Sequence, residues 1–152
     1  MNIDYKALNS QIESLILDIP HLTANLANAS AALNLALDDI NWVGFYLMQN
    51  GKLILGPFQG KPACIEIEVG KGVCGTAVYE KRSQLVFDVH KFPGHIACDP
   101  CSRSEVVIPI FNGNEIAGVL DIDSPKLNNF NENDLLGLEE IVKTLEKHIF
   151  KE

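Results

Sequence analysis

A chain of 152 residues with 47% apolar and 21% charged side chains can bury a full core without staples, and is expected to form a single domain over residues 1–152. The net charge of −8 disfavours nucleic acid and anionic membrane as partners. No apolar run approaches the roughly 20 residues of a membrane span, and the first residues lack a basic stretch followed by an apolar one, so a cytoplasmic protein is expected.

In chain order, residues 3–18 place Tyr5, Leu8, Ile12, Leu15 and Ile16 on one helical face, and Pro20 ends the run. Residues 22–37, rich in alanine and leucine, predict a second helix. WVGFYLM (42–48) is aromatic and β-branched and reads as a strand. Asn50-Gly51 signals a hairpin into KLILG. CIEIEV (64–69) alternates, with Ile65, Ile67 and Val69 on one face and Cys64, Glu66 and Glu68 on the other. GKGVCG is a glycine-rich turn opening a short helix through residues 76–81, and QLVF is a short strand. DVHKFPGHIACDPCSRS is a long irregular loop of the kind that often carries function. EVVIPIF, NGN and EIAGVLDID form a second hairpin. Asn131 with Asp134 approximates a capping box before a last helix that presents Leu135, Leu138, Ile141, Val142 and Leu145. Two helices, a run of strands and a terminal helix predict an α+β fold, an antiparallel sheet with helices packed on one face.

Four cysteines demand an explanation in a compartment where structural disulfides are rare. HIACDPCSRSE (95–105) holds Cys98 and Cys101 in a Cys-x-x-Cys step, three residues after His95. Zinc is one reading of Cys98, Cys101 and His95, but Cys64 and Cys74 are ten apart and supply no second knuckle. A thioredoxin-like dithiol should open a helix after a strand, and Asp99-Pro100 in a loop does not fit. Gly70, Gly72 and Gly75 have dinucleotide spacing without the surrounding βαβ unit, and read as a turn. His21, His90 and His148 have no sequence partners and read as surface residues. Cys64 lies off the apolar face of its strand, and a partly buried structural thiol remains one reading of it. Asp121 and Asp123 share a strand face about 6–7 Å apart, which suits a polar pocket, a metal or a solvated strand end.

NWVGFYL, Cys64, GVCG, HIACD, SRSE, VIPI and GVLDIDSP together resemble the free methionine-(R)-sulfoxide reductases, stand-alone GAF-domain enzymes, over residues 40–145. The resemblance implies a GAF fold with its ligand pocket on the sheet face opposite the helices, a homodimer, and no cofactor or metal. It implies reduction of free L-methionine-(R)-sulfoxide to methionine, with Cys98 as nucleophile, Cys64 resolving it and Cys74 a third redox cysteine. Glu105, Asp121 and Asp123 match pocket carboxylates that bind substrate, Glu105 or Asp123 serving as the acid. Trp42 and Tyr46 match aromatics lining the substrate site. Cys64 is expected to meet Cys98 across the pocket if their Cα atoms come within about 7 Å. A thioredoxin-type dithiol is expected to reduce the resulting disulfide. Cys101 departs from the family pattern. Three carboxylates disfavour a thiolate at Cys98, and Arg103, His95 or the substrate ammonium is expected to offset them. The alternatives are a non-enzymatic GAF sensor of a small ligand and a zinc-bound structural module.

Overall fold

The computed structural model describes residues 1–96 and 98–150; Ala97 of the expected long loop lies outside them. Helices α1 (Tyr5–Ile16) and α2 (Leu22–Ala36) precede strands β1 (Trp42–Gln49), β2 (Lys52–Gly60) and β3 (Glu66–Glu68). Helix α3 (Gly72–Glu80), strands β4 (Gln84–Val86), β5 (Ser104–Asn112) and β6 (Glu115–Ser124), and helix α4 (Glu132–His148) follow. The sheet is antiparallel throughout, in the order β3-β2-β1-β6-β5-β4. Among the described residues no helix is long and apolar enough to cross a membrane.

Strand alternation sorts the sheet into two faces. Val43 and Phe45 of β1, Val106, Ile108 and Ile110 of β5, and Leu120 and Ile122 of β6 pack against α1, α2 and α4. Trp42, Tyr46, Val107 and Val119 face the other way, toward α3. The fold is therefore α+β as the sequence predicts, with one addition: the short helix α3 sits on the face that carries the pocket. Leu15, expected on the buried side of α1, is exposed, and the helix buries Leu8, Ile12 and Ile16 instead.

Local chemistry explains the boundaries. The hairpin at Asn50-Gly51 closes with both residues at positive φ, 52° and 81°, the geometry a two-residue loop needs to match strand twist. At α4 the capping box is complete: Asn131 Oδ1 accepts from the Asp134 N–H at 2.9 Å, and Asp134 Oδ2 accepts from the Asn131 N–H at 2.9 Å. The other Asp134 oxygen accepts from Tyr5 Oη at 2.7 Å, which ties α1 to the start of α4. Asn131→Ala is expected to lower stability by about 1 kcal/mol, read as a shift in the urea unfolding midpoint with unchanged slope.

The segment 64–69 departs from its sequence reading. Only Glu66–Glu68 forms strand, as an edge paired to β2, and Ile67 alone is buried while Ile65 and Val69 are exposed. Cys64 precedes the strand rather than standing on its polar face. An alternating pattern fixes a period but not how many residues find a partner strand.

Candidate active site

Three strands build the floor of one cavity. In the β5–β6 register Glu105 stands opposite Asp123 and Val107 opposite Asp121, and in the β1–β6 register Trp42 stands opposite Asp123. The side chains that point away from the helical core at this end of the sheet thus include three carboxyls and two aromatic rings beside Val107. Trp42, Tyr46, Ile67, Cys74, Cys98, Glu105, Asp121 and Asp123 all line the cavity. Glu105 is 7% and Asp121 5% exposed, while Asp123 is half-buried.

Helix α3 brings the third cysteine. Gly75 lies so close to β3 that a Cβ there would run into the Glu68 carbonyl, and its N–H and C=O bond Lys71 O at 3.0 Å and Gly70 N at 2.8 Å. The glycine spacing thus serves a turn that seats the first turn of α3, including Cys74, over the cavity. Cys74 Sγ and one oxygen each from Glu105 and Asp121 lie within 4.8 Å of one another. That spacing could surround a cation, but burial favours neutral forms of these groups, and a hydrogen-bonded set of thiol and carboxyls fits it equally.

Electrostatics follow from burial. Glu105 is pushed well above the usual carboxyl range, first by desolvation, then by Asp121 and Asp123. Asp123 is pushed well up by desolvation and by Asp121. Asp121 is raised by desolvation, against hydrogen bonds from Glu105 and Cys74 that favour its charged form. Asp121 is accordingly the member disposed to carry charge, and its buried Oδ1 has no hydrogen-bond partner among the described residues. Desolvation, then the three carboxyls, raises the Cys74 thiol well above its ordinary value. Desolvation, with Asp121 next, also raises the Tyr46 phenol.

Cys64 and Cys98 form a disulfide with Cα atoms 5.6 Å apart, within the reach the sequence reading required. Cys74 and Cys101 are free, the first buried and the second exposed. Cys98 lines the cavity and Cys64 lies outside its lining. Tyr46 Oη donates to the Cys64 carbonyl at 2.8 Å, and Trp42 Nε1 to the Lys61 carbonyl at 3.2 Å. The two aromatics therefore hold the segment carrying Cys64 against β1, in addition to walling the cavity, and Trp42 stacks on Tyr46 and Phe58.

The sequence reading missed the clamp on the opposite loop. Asn41 Nδ2 donates to Asp99 Oδ2 and Ser102 Oγ, both at 3.0 Å, while Asp99 Oδ1 accepts from the Cys101 N–H at 2.8 Å. The Cys101 N–H, against desolvation, and then the Asn41 amide hold Asp99 below its usual range. Partners 58 and 61 residues apart leave no spacing signal. Among the described residues His95 and Lys71 also line the cavity, whereas Arg103 is exposed and outside its lining. Desolvation and His90 lower the pKa of His95, so it is disposed to be neutral. Arg103 thus stands outside the cavity and His95 is disposed to be neutral, while burial favours the protonated forms of Glu105 and Asp123. His148, read as a surface residue without a partner, meets Glu13 at 2.8 Å. His21 and His90 are exposed. In this structure Cys98 is bonded to Cys64, so its sulfur is not presented with Cys101 as a metal knuckle.

A six-stranded antiparallel sheet with a helical layer behind it and a cavity under a short helix in front is the architecture of a GAF domain, and the GAF domain model matches residues 28–149. The chain is 51% identical over 143 residues to the free methionine-R-sulfoxide reductase of Escherichia coli (strain K12), covering 94% of this chain and 87% of that one. It superposes on a structure of fRMsr of Staphylococcus aureus in complex with substrate with a TM-score of 0.93 and 56% identity, covering 98% and 97% of the two chains. The free methionine-R-sulfoxide reductase from Neisseria meningitidis in complex with its substrate gives a TM-score of 0.92 at 46% identity, covering 95% of this chain and 87% of that one. The chain belongs to the free methionine-R-sulfoxide reductase family of GAF-domain enzymes.

Proposed function

We propose that the protein reduces free L-methionine-(R)-sulfoxide to L-methionine. The observation that carries this reading is the Cys64–Cys98 disulfide at the edge of a cavity floored by three buried or half-buried carboxyls. The relatives in the same family, two of them described in complex with substrate, support it.

The chemistry uses each residue type. The Cys98 thiolate attacks the sulfoxide sulfur, and the oxygen takes up a proton as negative charge develops on it. Glu105 and Asp123, which burial disposes to keep their protons, are the proton donors. In their neutral forms they also repel the Cys98 thiolate less than three carboxylates would. Asp121, disposed to ionise first, pairs the substrate ammonium. Trp42 and Tyr46 wall the S-methyl group. The oxygen passes to Cys98 Sγ as the substrate S–O bond and the newly made bond between the two sulfurs break, so methionine departs and Cys98 is left as a sulfenic acid. The Cys64 thiol condenses with it, releasing water and forming the disulfide. A dithiol such as thioredoxin then reduces that disulfide by exchange. Cys74, a raised thiol beside the same cavity, is a reserve resolving group.

Methionine released from free L-methionine-(R)-sulfoxide with a dithiol reductant, measured by chromatography, tests the reading; no turnover with fully reduced enzyme would reject it. Recognition of the ammonium by Asp121 predicts a second result. N-acetylation of the substrate is expected to reduce kcat/KM by at least about tenfold, the scale of one lost charged hydrogen bond. Equal rates on the two substrates would remove the ammonium argument.

A further inference from the structure

Resting on the proposed reaction, we infer that Asn41 is a positioning residue for the nucleophile: its side-chain amide fixes the turn that follows Cys98 to the strand pair that carries the acid Asp123. Residues 99–102 close on themselves. The Ser102 N–H donates to the Asp99 carbonyl at 3.1 Å and the Cys101 N–H to Asp99 Oδ1 at 2.8 Å, with Pro100 presetting φ between them. Cys98 leads directly into this turn. Asn41 holds the turn from outside, Nδ2 donating to Asp99 Oδ2 and Ser102 Oγ, both at 3.0 Å. Asn41 is itself pinned, its backbone N–H donating to the Asp123 carbonyl at 2.9 Å. One residue therefore joins the nucleophile's loop to the acid's strand. Among the described residues no other side chain hydrogen-bonds residues 98–102 to the sheet.

Two observations set this contact apart from an ordinary loop tie. Asn41 Oδ1 is buried without a partner among the described residues. A buried amide oxygen left unpaired costs stability, and flipping the amide would turn that oxygen toward the Asp99 carboxylate. The side chain thus gives up one hydrogen bond to keep its donors on the turn, which folding alone does not explain. The second observation is the disulfide. Cys64 holds Cys98 covalently in this structure, with Cα atoms 5.6 Å apart. The attacking form of the enzyme lacks that bond, since Cys98 must be a free thiolate to meet substrate. Once the bond opens, the Asn41 amide is the side-chain tie that remains on the turn, whose Asp99 and Ser102 line the cavity with Cys98. Attack and proton delivery act on the same S–O group, so the placement of Cys98 relative to Asp123 enters the rate of the chemical step. Displacing a reacting group by about 1 Å can cost about 10²-fold in rate.

The test compares Asn41→Ala, Asn41→Asp and the exchanged pair Asn41→Asp/Asp99→Asn in the full chain. Asn41→Ala removes the clamp. Asn41→Asp sets two carboxylates against each other. The exchanged pair restores an amide-to-carboxylate hydrogen bond with donor and acceptor swapped. Methionine formation in the first turnover by pre-reduced protein is expected to slow about 10²-fold in both single variants. Substrate affinity, read from the concentration dependence of that rate, should stay unchanged, and the exchanged pair should recover most of the lost rate. A wild-type rate in Asn41→Ala, a loss that falls on affinity instead of rate, or an exchanged pair no faster than Asn41→Asp overturns the inference. The last comparison stands even where Asn41→Ala fails to fold. A second measurement uses no sulfoxide. Hydrogen peroxide takes the Cys98 thiolate of reduced protein to the sulfenic acid, and the Cys64 thiol condenses with it, releasing water. That condensation, followed by mass spectrometry, is expected to slow in Asn41→Asp and recover in the exchanged pair; equal rates in all forms overturn the positioning role. This arm reads the placement of Cys98 whether or not the protein reduces methionine sulfoxide, which turnover by the wild-type protein decides separately.

Discussion

Cys98→Ser is expected to release no methionine at all, not even in the first turnover, because the serine hydroxyl replaces the sulfur that both lines the cavity and enters the disulfide with Cys64. Cys64→Ser should behave differently: one methionine per active site in a burst, then a stall with Cys98 held as sulfenic acid. Quenched-flow measurement of methionine with no reductant present separates the two, since chemistry is intact in one and absent in the other. Two further thiols define how complete the stall is. Cys74 lines the same cavity as Cys98 but is a buried thiol with a raised pKa. Cys101 is exposed, and its backbone N–H is bonded to Asp99. Residual cycling in Cys64→Ser that vanishes in the Cys64→Ser/Cys74→Ser double variant assigns the relief to Cys74. Cys101→Ser alone should retain full cycling with thioredoxin. A first equivalent formed normally by Cys98→Ser would end the assignment of the nucleophile.

Glu105→Gln and Asp123→Asn should each slow sulfoxide reduction by about 10²–10⁴-fold, the usual contribution of a general acid. Both replacements keep shape and remove the transferable proton. Near-normal rates in both, where chemistry limits turnover, would place the proton elsewhere. The raised pKa values also fix the direction of two pH effects. The reduction step requires the neutral carboxyl, so its rate should fall as pH rises through the folded-state pKa of the acid. Folding stability moves the same way. An unfolded carboxyl titrates near 4, whereas in the folded protein Glu105 and Asp123 keep their protons to higher pH. Their contribution is fully present below the unfolded value and is lost as pH rises toward the folded one, because the native state binds more protons across that window. Urea midpoints measured from mildly acidic to alkaline pH should decline, and Glu105→Gln should flatten the decline.

The strands and helices were readable where one face of an element meets one core. Residues 42–48, 105–111 and 115–123 were readable as strands from their apolar and β-branched content, because β1, β5 and β6 are central strands whose side chains alternate between a helical layer on one side and a cavity on the other and are buried on both. The same alternation put Asp121 and Asp123 on one face, and the structure adds that Glu105 joins them through the register of β5 with β6. The edge was harder. CIEIEV has the period of a strand, but at the sheet border β3 pairs over three residues only, so the pattern overstated what is buried. The cysteine pairing could not be derived from spacing, since 34 residues separate Cys64 from Cys98 while Cys101 is only three away. The Cys-x-x-Cys step was a local signal outweighed by tertiary placement. Asn41 left no trace because its role depends on two loops meeting, and the burial that raises the carboxyl pKa values comes from tertiary packing that no spacing in the sequence shows.

The disulfide spans 34 positions and encloses β3, α3 and β4 in a covalent ring. A closure of that size restricts the unfolded chain by roughly 3–4 kcal/mol in the chain-entropy description, a sizeable share of a small domain's total stability. On the proposed cycle the ring closes after each sulfoxide is consumed and opens when the donor arrives. The protein's lifetime thus becomes coupled to its supply lines. With substrate abundant and reductant scarce, molecules accumulate in the closed form and should resist proteases and heat. With reductant abundant, they accumulate in the open form and should yield sooner. The fraction surviving a protease pulse would then serve as a gauge of the balance between oxidised methionine and reducing power.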